Sequence, residues 1–540
     1  MKGNLSRAWA LWGRGLMLTP LSVSLVALFT GYAHAQVRFA RTYGGGNYDH
    51  FTSVQQTSDG GYIIAGYTEE PIITTWRDPL LIKTDAFGNI IWAKAYRGTY
   101  DDASLSAQQT SDGGYIMAGW TNSSGWGGFN FLLIKTDANG NIQWAKAYGG
   151  IYWDEATSVR QTSDGGYIVV GWAYSFGTGS QDVLLIKTDA NGNVQWAKTY
   201  GRTIWDEFYP KSVQQTSDGG YIVAGYIFSY LTTREYIFLI KTDANGNVQW
   251  AKTYGGTWGE EAYSVQQTSD GGYIVAGVTY SFGAGGGDAF LIKTDANGNV
   301  QWAKTYGGSN WDVAYSVQQT SDGGYIVAGL TESFGAGWGD AFLIKTYANG
   351  NIQWAKTYGG THHDVAYHVQ QTSDGGYIVA NDTRSFGAGH YDFLLIKTDA
   401  NGNIGSCGIV RNASPTVTTL SVTVITFSPA VYSVSPTVTS PSLTVTSPTL
   451  TVTALCPLSD DNELGISESC KPVSGLITPY KGGIKVSGSG EFEVKVYNVS
   501  GVMVKSAKGK DEVKLELSRG VYFVEVISGG KVMREKVVVR

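Results

Sequence analysis

The phrase Q-T-S-D-G-G-Y, followed by a short apolar run, stands seven times in this chain. Its aspartates are Asp59, Asp112, Asp164, Asp218, Asp270, Asp322 and Asp374, in steps of 52 to 54 residues. A fixed period of this size marks stacked supersecondary units. Within one unit, 262–308 for example, short β-branched and aromatic runs are bounded by Gly, Asn and Asp clusters, and no window carries a helical apolar stripe. The S-D-G-G and D-A-N-G-N joints supply residues that accept positive φ, as tight hairpins require. Each unit therefore reads as four antiparallel strands, a to d. Seven such units predict an all-β, seven-bladed β-propeller. The d-strand phrase W-A-K-T-Y-G-G recurs, with small variations, at Trp92, Trp144, Trp196, Trp250, Trp302 and Trp354, but the seventh unit breaks off into I-G-S-C after Asn403. Its counterpart lies near the N-terminus, at 39–45, with Phe39 in place of Trp. An N-terminal strand is thus expected to complete the last blade, leaving the ring with no free sheet edge.

The segments outside the repeats differ in composition. Residues 1–35 read as a secretory signal: Lys2, Arg7 and Arg14, an apolar core from Leu16 to Phe29, and the small-x-small site Ala33-His34-Ala35. No other stretch could span a membrane, so the mature chain is expected to carry no transmembrane segment. The propeller is assigned to 36–405. Residues 406–470 read as a linker. No charged residue occurs from Asn412 to Ser459, and six of the chain's twelve prolines lie there among Ser, Thr and Val. Its T-V-T-V alternation leaves a rival reading open, in which the segment lies as strands on a neighbour. Residues 471–540 alternate apolar and polar positions and form a separate module, expected as a small C-terminal β-sandwich. It holds ten Lys and three Arg against seven acids, while the whole chain carries −6, so the rest is acidic. An acidic propeller argues against nucleic acid as a partner. Three cysteines, Cys407, Cys456 and Cys470, suggest one bond and one spare thiol in an exported protein. A 407–456 and a 456–470 pairing are equally allowed.

The C-terminal module resembles the type A sorting domain of the type IX secretion system. The likeness rests on V-Y-N-V-S-G-V-M-V (496–504), L-S-R-G-V-Y-F-V-E-V (517–526) and the terminal K-V-V-V-R. It implies passage through the outer membrane, contact with the secretion machinery, and a secreted or cell-surface location. The repeats are similar to the secreted bacterial β-propeller repeat family, with its Y-G-G, D-G-G-Y and D-x-x-G-N-x-x-W landmarks. The c–d hairpin also resembles the pyrroloquinoline-quinone dehydrogenase repeat, in which the Trp docks one blade on the next. That role carries over to the six d-strand tryptophans. The quinone does not, since the chain has no vicinal cysteine pair, and no cofactor or metal is expected.

In an up-and-down blade the a–b and c–d turns share one face, and the b–c and d–a loops share the other. The first set is nearly invariant here and the second varies, so a specific ligand is expected on the variable face. That face carries a ring of acids, Asp49, Asp102, Asp154, Asp206, Glu260, Asp312 and Asp364. A second ring stands at the mouth of strand c: Asp78, Asn130, Asp182, Asp288, Asp340 and Asp392. Beside the first lie Trp153, Trp205, Trp258 and Trp311, with His362 and His363 in the last unit. Aromatic faces with carboxylates suit sugars, whose C–H patches stack on rings while hydroxyls donate to carboxylates. The candidate ligand-binding residues are therefore Trp153, Trp205, Trp258, Trp311, His362, His363, Asp154, Asp312 and Asp364. The competing reading makes each acid a cap for strand-end N–H groups. Trp126, Trp338 and His390 are further aromatic departures from the repeat, and Arg160, Arg202, Arg234 and Arg384 are its off-pattern cations. No nucleophile elbow, zinc helix or phosphate loop occurs, and acids repeated seven times single out no catalytic pair. The expectation is an exported, non-catalytic binding or adhesion protein with a glycan or a surface protein as ligand. The alternatives are a structural envelope component and a polysaccharide lyase or hydrolase.

Overall fold

The structure is a computed structural model. It describes residues 37–456 apart from 45–47, 70–75, 126, 179, 388–390, 406, 447, 449 and 450. It also describes 477–539 apart from 481, 482, 499–502, 518, 519, 529 and 530. The expected signal segment, Trp126, His390 and Cys470 lie outside the described residues. The chain divides into two compact units, 1–460 and 461–540.

The first unit is the seven-bladed propeller. Blade 1 is built from Asp49–Gln56, Tyr62–Glu69, Arg77–Thr84 and Ile90–Arg97, paired in order and antiparallel, and the next five blades repeat it. Blade 7 takes strands a to c from Asp364–Gln371, Tyr377–Thr383 and Asp392–Thr398, and strand d from Phe39–Gly44, with Phe39 opposite Lys397. The repeat is legible in its bonds. Gly60 and Gly113 in the S-D-G-G turns sit near φ +84° and +83°, a region closed to most side chains. Asp112 of one such turn receives the buried Lys135 of strand c at 2.8 Å. Burial works against its carboxylate form, but Lys135, Thr110 and the Gly114 N–H outweigh it and hold the group down at about 2. In the c–d turn, Asp137 Oδ1 accepts the N–H groups of Asn139 and Asn141, and its Oδ2 takes the Asn141 amide. D-A-N-G-N is therefore a self-satisfied turn.

Blades lock to one another through strand d. Trp92 meets Tyr115 of blade 2 edge-on at 5.8 Å, and each later d-strand Trp meets the same tyrosine of the next blade. The docking role implied by the quinoprotein resemblance is thus the role these tryptophans have. Phe39 repeats it on Tyr62 across the closing seam. The d-strand tyrosine, Tyr43 in the first case, donates its hydroxyl to the Gly88 carbonyl of the next blade at 2.6 Å. Tyr96, Tyr148, Tyr200, Tyr254, Tyr306 and Tyr358 do the same around the ring.

The segment expected as a linker is not one over most of its described length. Its rival reading, strands on a neighbour, is what the structure has. Every blade carries a fifth, outer strand drawn from it. Val410–Asn412 pairs with strand d of blade 6, Thr416–Thr419 with blade 5, Thr423–Thr426 with blade 4 and Ala430–Ser433 with blade 3. Thr437–Thr439, Thr444–Thr446 and Thr451–Ala454 continue to blades 2, 1 and 7. The chain thus runs a full circle around the propeller, against the order of the blades. The register is fixed by valines seven residues apart: Val410, Val417, Val424, Val431, Val438, Val445 and Val452 each stand opposite the d-strand tyrosine of their blade. Seven extended residues reach at most roughly 23–25 Å, which sets the step from one outer strand to the next. The N–H groups of Ala413, Leu420, Phe427, Val434 and Leu455 each bond a d-strand alanine carbonyl. At the two remaining equivalent places the chain has Pro441 and Pro448, which have no N–H to give. Cys407 and Cys456, 49 residues apart, are joined by a disulfide. Of the two pairings the sequence allowed, this one closes the belt into a covalent ring with the propeller inside it.

The second unit is a five-stranded antiparallel sheet, Ile477–Tyr480, Gly483–Asn498, Met503–Glu516, Gly520–Ser528 and Lys531–Val539. The long hairpin breaks register between Ser487 and Glu491. Both of its halves share one core, in which Ile484, Val486, Val494, Val513 and Val524 are buried.

Candidate functional site

The variable face is where the propeller exposes its large apolar side chains. Among the described residues of the repeats, all of those exposed but Ile91 and Tyr347 lie in b–c or d–a loops, mostly of blades 1 to 5. Trp153, Trp205 and Trp258 stand at the ends of d–a loops and are 56%, 53% and 68% exposed; Trp338, in a b–c loop, is 80% exposed. Trp311 differs. It is partly buried, and its backbone bridges Gly287 in the b–c loop of blade 5, where a Cβ would meet its ring at 2.6 Å. His362 is exposed, with its N–H on Ser385 Oγ at 3.0 Å, and His363 is half-buried with its carbonyl accepting the Arg384 N–H.

Asp154, Asp312 and Asp364, expected as ligand contacts, are instead the strand-end caps of the competing reading. Asp154, Asp312 and Asp364 have no exposed surface. Asp154 accepts the N–H groups of Gly150 and Ser175 at 2.9 and 3.1 Å. Asp312 accepts the Gly308 N–H and the Ser333 hydroxyl. Asp364 accepts the Gly360 N–H and the hydroxyls of Ser385 and Thr383. Burial pushes all three carboxyls up while these bonds oppose it. The d–a loop turns back sharply over the strand, and the acid satisfies the N–H groups that the turn strands. The second ring acts alike: Asp182 takes the Thr178 N–H at 2.5 Å, and Asp340 takes that of Ala336 at 2.7 Å.

The carboxylates that do reach the face come from departures within the repeat. Strand a carries Glu155, Glu207 and Glu261 at its second position in blades 3 to 5, where blades 2, 6 and 7 have Ala103, Val313 and Val365. Tyr209 and Tyr230 donate to Glu207 at 2.8 and 3.1 Å, and Tyr263 donates to Glu261 at 2.5 Å. Tyr209 stacks on Tyr226, and Tyr263, Tyr315 and Tyr367 follow one another around the channel mouth, centroids 5.0 and 5.3 Å apart. Lys211, which stands where blades 3 and 5 have Thr157 and Tyr263, sits in the field of Glu155 and Glu261, and burial pulls its ammonium down. Burial raises Glu155 to about 6, against the opposing charges of Lys211 and Arg77. Across the mouth, His50 of blade 1 bonds Asp382 of blade 7 at 2.7 Å, and Asp382 also takes the Phe51 N–H. Sequence reasoning passed over this funnel. Comparing the seven units position by position would have found it, since Asp382 and the three glutamates stand where other blades have apolar or aromatic residues. The other off-pattern cations serve locally: Arg384 lies 4.0 Å over Tyr391, and Arg202 is 3.8 Å from Asp206.

The fold and site define a belted seven-bladed β-propeller with one aromatic, tyrosine- and carboxylate-rich face. Residues 478–540 match the secretion system C-terminal sorting domain family. The chain carries a type IX sorting tail and is therefore exported, for secretion or attachment to the cell surface. None of the curated proteins compared matches the chain. Among solved structures, a mannose phosphorylase from Leishmania mexicana in complex with phosphate ion aligns over 66% of this chain and 85% of its own. The identity is 12% and the TM-score 0.25, a likeness too slight to carry an argument. Among the described residues no helix is long and apolar enough to cross a membrane.

Proposed function

We propose that this chain is a non-catalytic binding protein displayed or released outside the cell, and that its variable face takes a glycan. The observation that carries the reading is the one-sided exposure of Trp153, Trp205, Trp258 and Trp338 around a funnel of tyrosines and glutamates. An apolar surface of this kind on an exported protein marks an interaction site. Rings offer stacking area, and the Glu207 and Glu261 clusters offer acceptors to hydroxyl groups. Asp154, Asp312 and Asp364 are spent on their own loops, which speaks for recognition over hydrolysis. A surface protein as ligand would use the same tryptophans as anchors.

Changing Trp153, Trp205 and Trp258 together to Ala is expected to abolish retention on a glycan and polysaccharide array and to leave the melting temperature within a degree or two. Each ring projects into solvent, so its loss opens no cavity. Unchanged retention would show that these tryptophans do not hold the glycan. An array on which the unaltered chain binds nothing would turn the search to protein ligands captured by the same face.

A further inference from the structure

The axial channel holds a second site, at its far end from the funnel. Six strand-a glutamines line it: Gln55, Gln108, Gln214, Gln266, Gln318 and Gln370. Each turns its Oε1 to the next blade and accepts a backbone N–H there, at 2.5–2.8 Å. With the oxygen turned to the next blade, each amide keeps both Nε2 donors to offer the channel. The seventh place is Arg160, which cannot accept and so breaks this ladder. Its Nη1 reaches the Val159 carbonyl at 2.8 Å and Ser106 Oγ at 3.4 Å, and among the described residues no carboxylate pairs with it.

The ring of residues above repeats the pattern. Five serines there accept an N–H of the following blade at 3.3–3.4 Å, and a sixth, Ser53, donates to the Ala107 carbonyl of its following blade at 3.2 Å. In the seventh place stands His368, whose Nδ1 is buried without a hydrogen-bond partner. Both exceptions give up a structural bond that the repeat would have supplied, and both line one cavity of about 180 Å³. Such local breaks in an otherwise consistent pattern are where function is expected.

We propose that this cavity binds a small oxyanion, held by Arg160, His368 and the amide N–H groups of the glutamine ring. The lining is rich in donors and holds one guanidinium with no anionic partner, and a desolvated cation of this kind is costly until an anion joins it. The guanidinium fork suits two oxygens of one ligand. Burial first, then the charge of Arg160, holds His368 down at about 4, so the imidazole is neutral near pH 7 and the guanidinium carries the charge of the site. This site lies apart from the glycan-binding face and does not depend on it.

The test is isothermal titration of sulfate, phosphate and acetate, each at fixed ionic strength, into the intact mature chain, R160Q and H368S. Both substitutions restore the residue that the other blades carry, so both variants should fold. R160Q should melt at the same or a higher temperature in the absence of the anion. The unaltered chain should bind at least one of the three saturably, with one site per chain. R160Q should lose at least tenfold in affinity and H368S a smaller factor. Preference for sulfate and phosphate would mark a tetrahedral ligand, and preference for acetate a carboxylate. No saturable binding by the unaltered chain, or equal binding by R160Q, would overturn the proposal. Should R160Q fail to fold, the titrations of the unaltered chain and H368S decide it.

Discussion

Replacing Cys407 by Ser should destabilise the propeller by about 4 kcal/mol, the loop-closure value for residues 49 apart. The disulfide is the only covalent closure of the belt among the described residues, and each belt strand is just three or four residues long. Such short edge strands hold by cooperation: a belt pinned at both ends keeps seven weak pairings in register, and a belt with a free end frays blade by blade. Chymotrypsin reads this out, since the belt carries Leu420, Phe427 and Tyr432. Trypsin reads only the first strand, at Arg411, since no Lys or Arg lies between Asn412 and Ser459. Belt cleavage in C407S or under reductant, but not in the oxidised chain or in C470S, is the expected pattern. A stable C407S with a destabilised C470S would instead show that Cys456 pairs with Cys470.

Removing residues 37–44 should prevent a soluble monomer from forming. Phe39, Ala40 and Tyr43 have no exposed surface. Phe39 packs against Tyr62 of blade 1, and Tyr43 bonds the Gly88 carbonyl there. The deleted strand also pairs on one side with Asp392–Thr398 and on the other with the last belt strand, Thr451–Ala454. Its loss opens the ring at the blade 7–blade 1 seam and exposes a long strand edge, which invites pairing between chains. Phe39→Ala is the milder probe, expected to cost about 3–5 kcal/mol by the lost ring alone. Light scattering after refolding checks the deletion, and urea unfolding the point change. A monomeric, cooperatively unfolding deletion would show that another strand closes the ring.

The propeller was legible in the sequence because each unit states its strands, turns and docking residues in the same words, and because the missing Trp92-type strand could be found at 39–45. The belt was present in the sequence too, as seven valines at a seven-residue step. It was read as a linker because strands of three or four residues separated by Ser-Pro joints have the composition of an extended tether. Only the tyrosines they face, Tyr43 to Tyr358, make them strands. The acidic ring misled for a physical reason. A once-per-blade Asp beside a loop looks alike in sequence whether it faces solvent or the loop's own N–H groups, and here Asp154, Asp312 and Asp364 face inward. The funnel went unseen since its members, Glu155, Lys211, Glu261 and Asp382, are legible only as exceptions.

If one face of the belted propeller does the binding, a bound ligand should protect that face alone. Amide hydrogen exchange of the intact chain, with and without the glycan that the array selects, reads this out. Exchange should slow in the d–a loops around Trp153, Trp205 and Trp258 and in the strand-a segments bearing Glu207 and Glu261, with no change in the S-D-G-G and D-A-N-G-N turns. Protection confined to those turns, or to the belt, would contradict it.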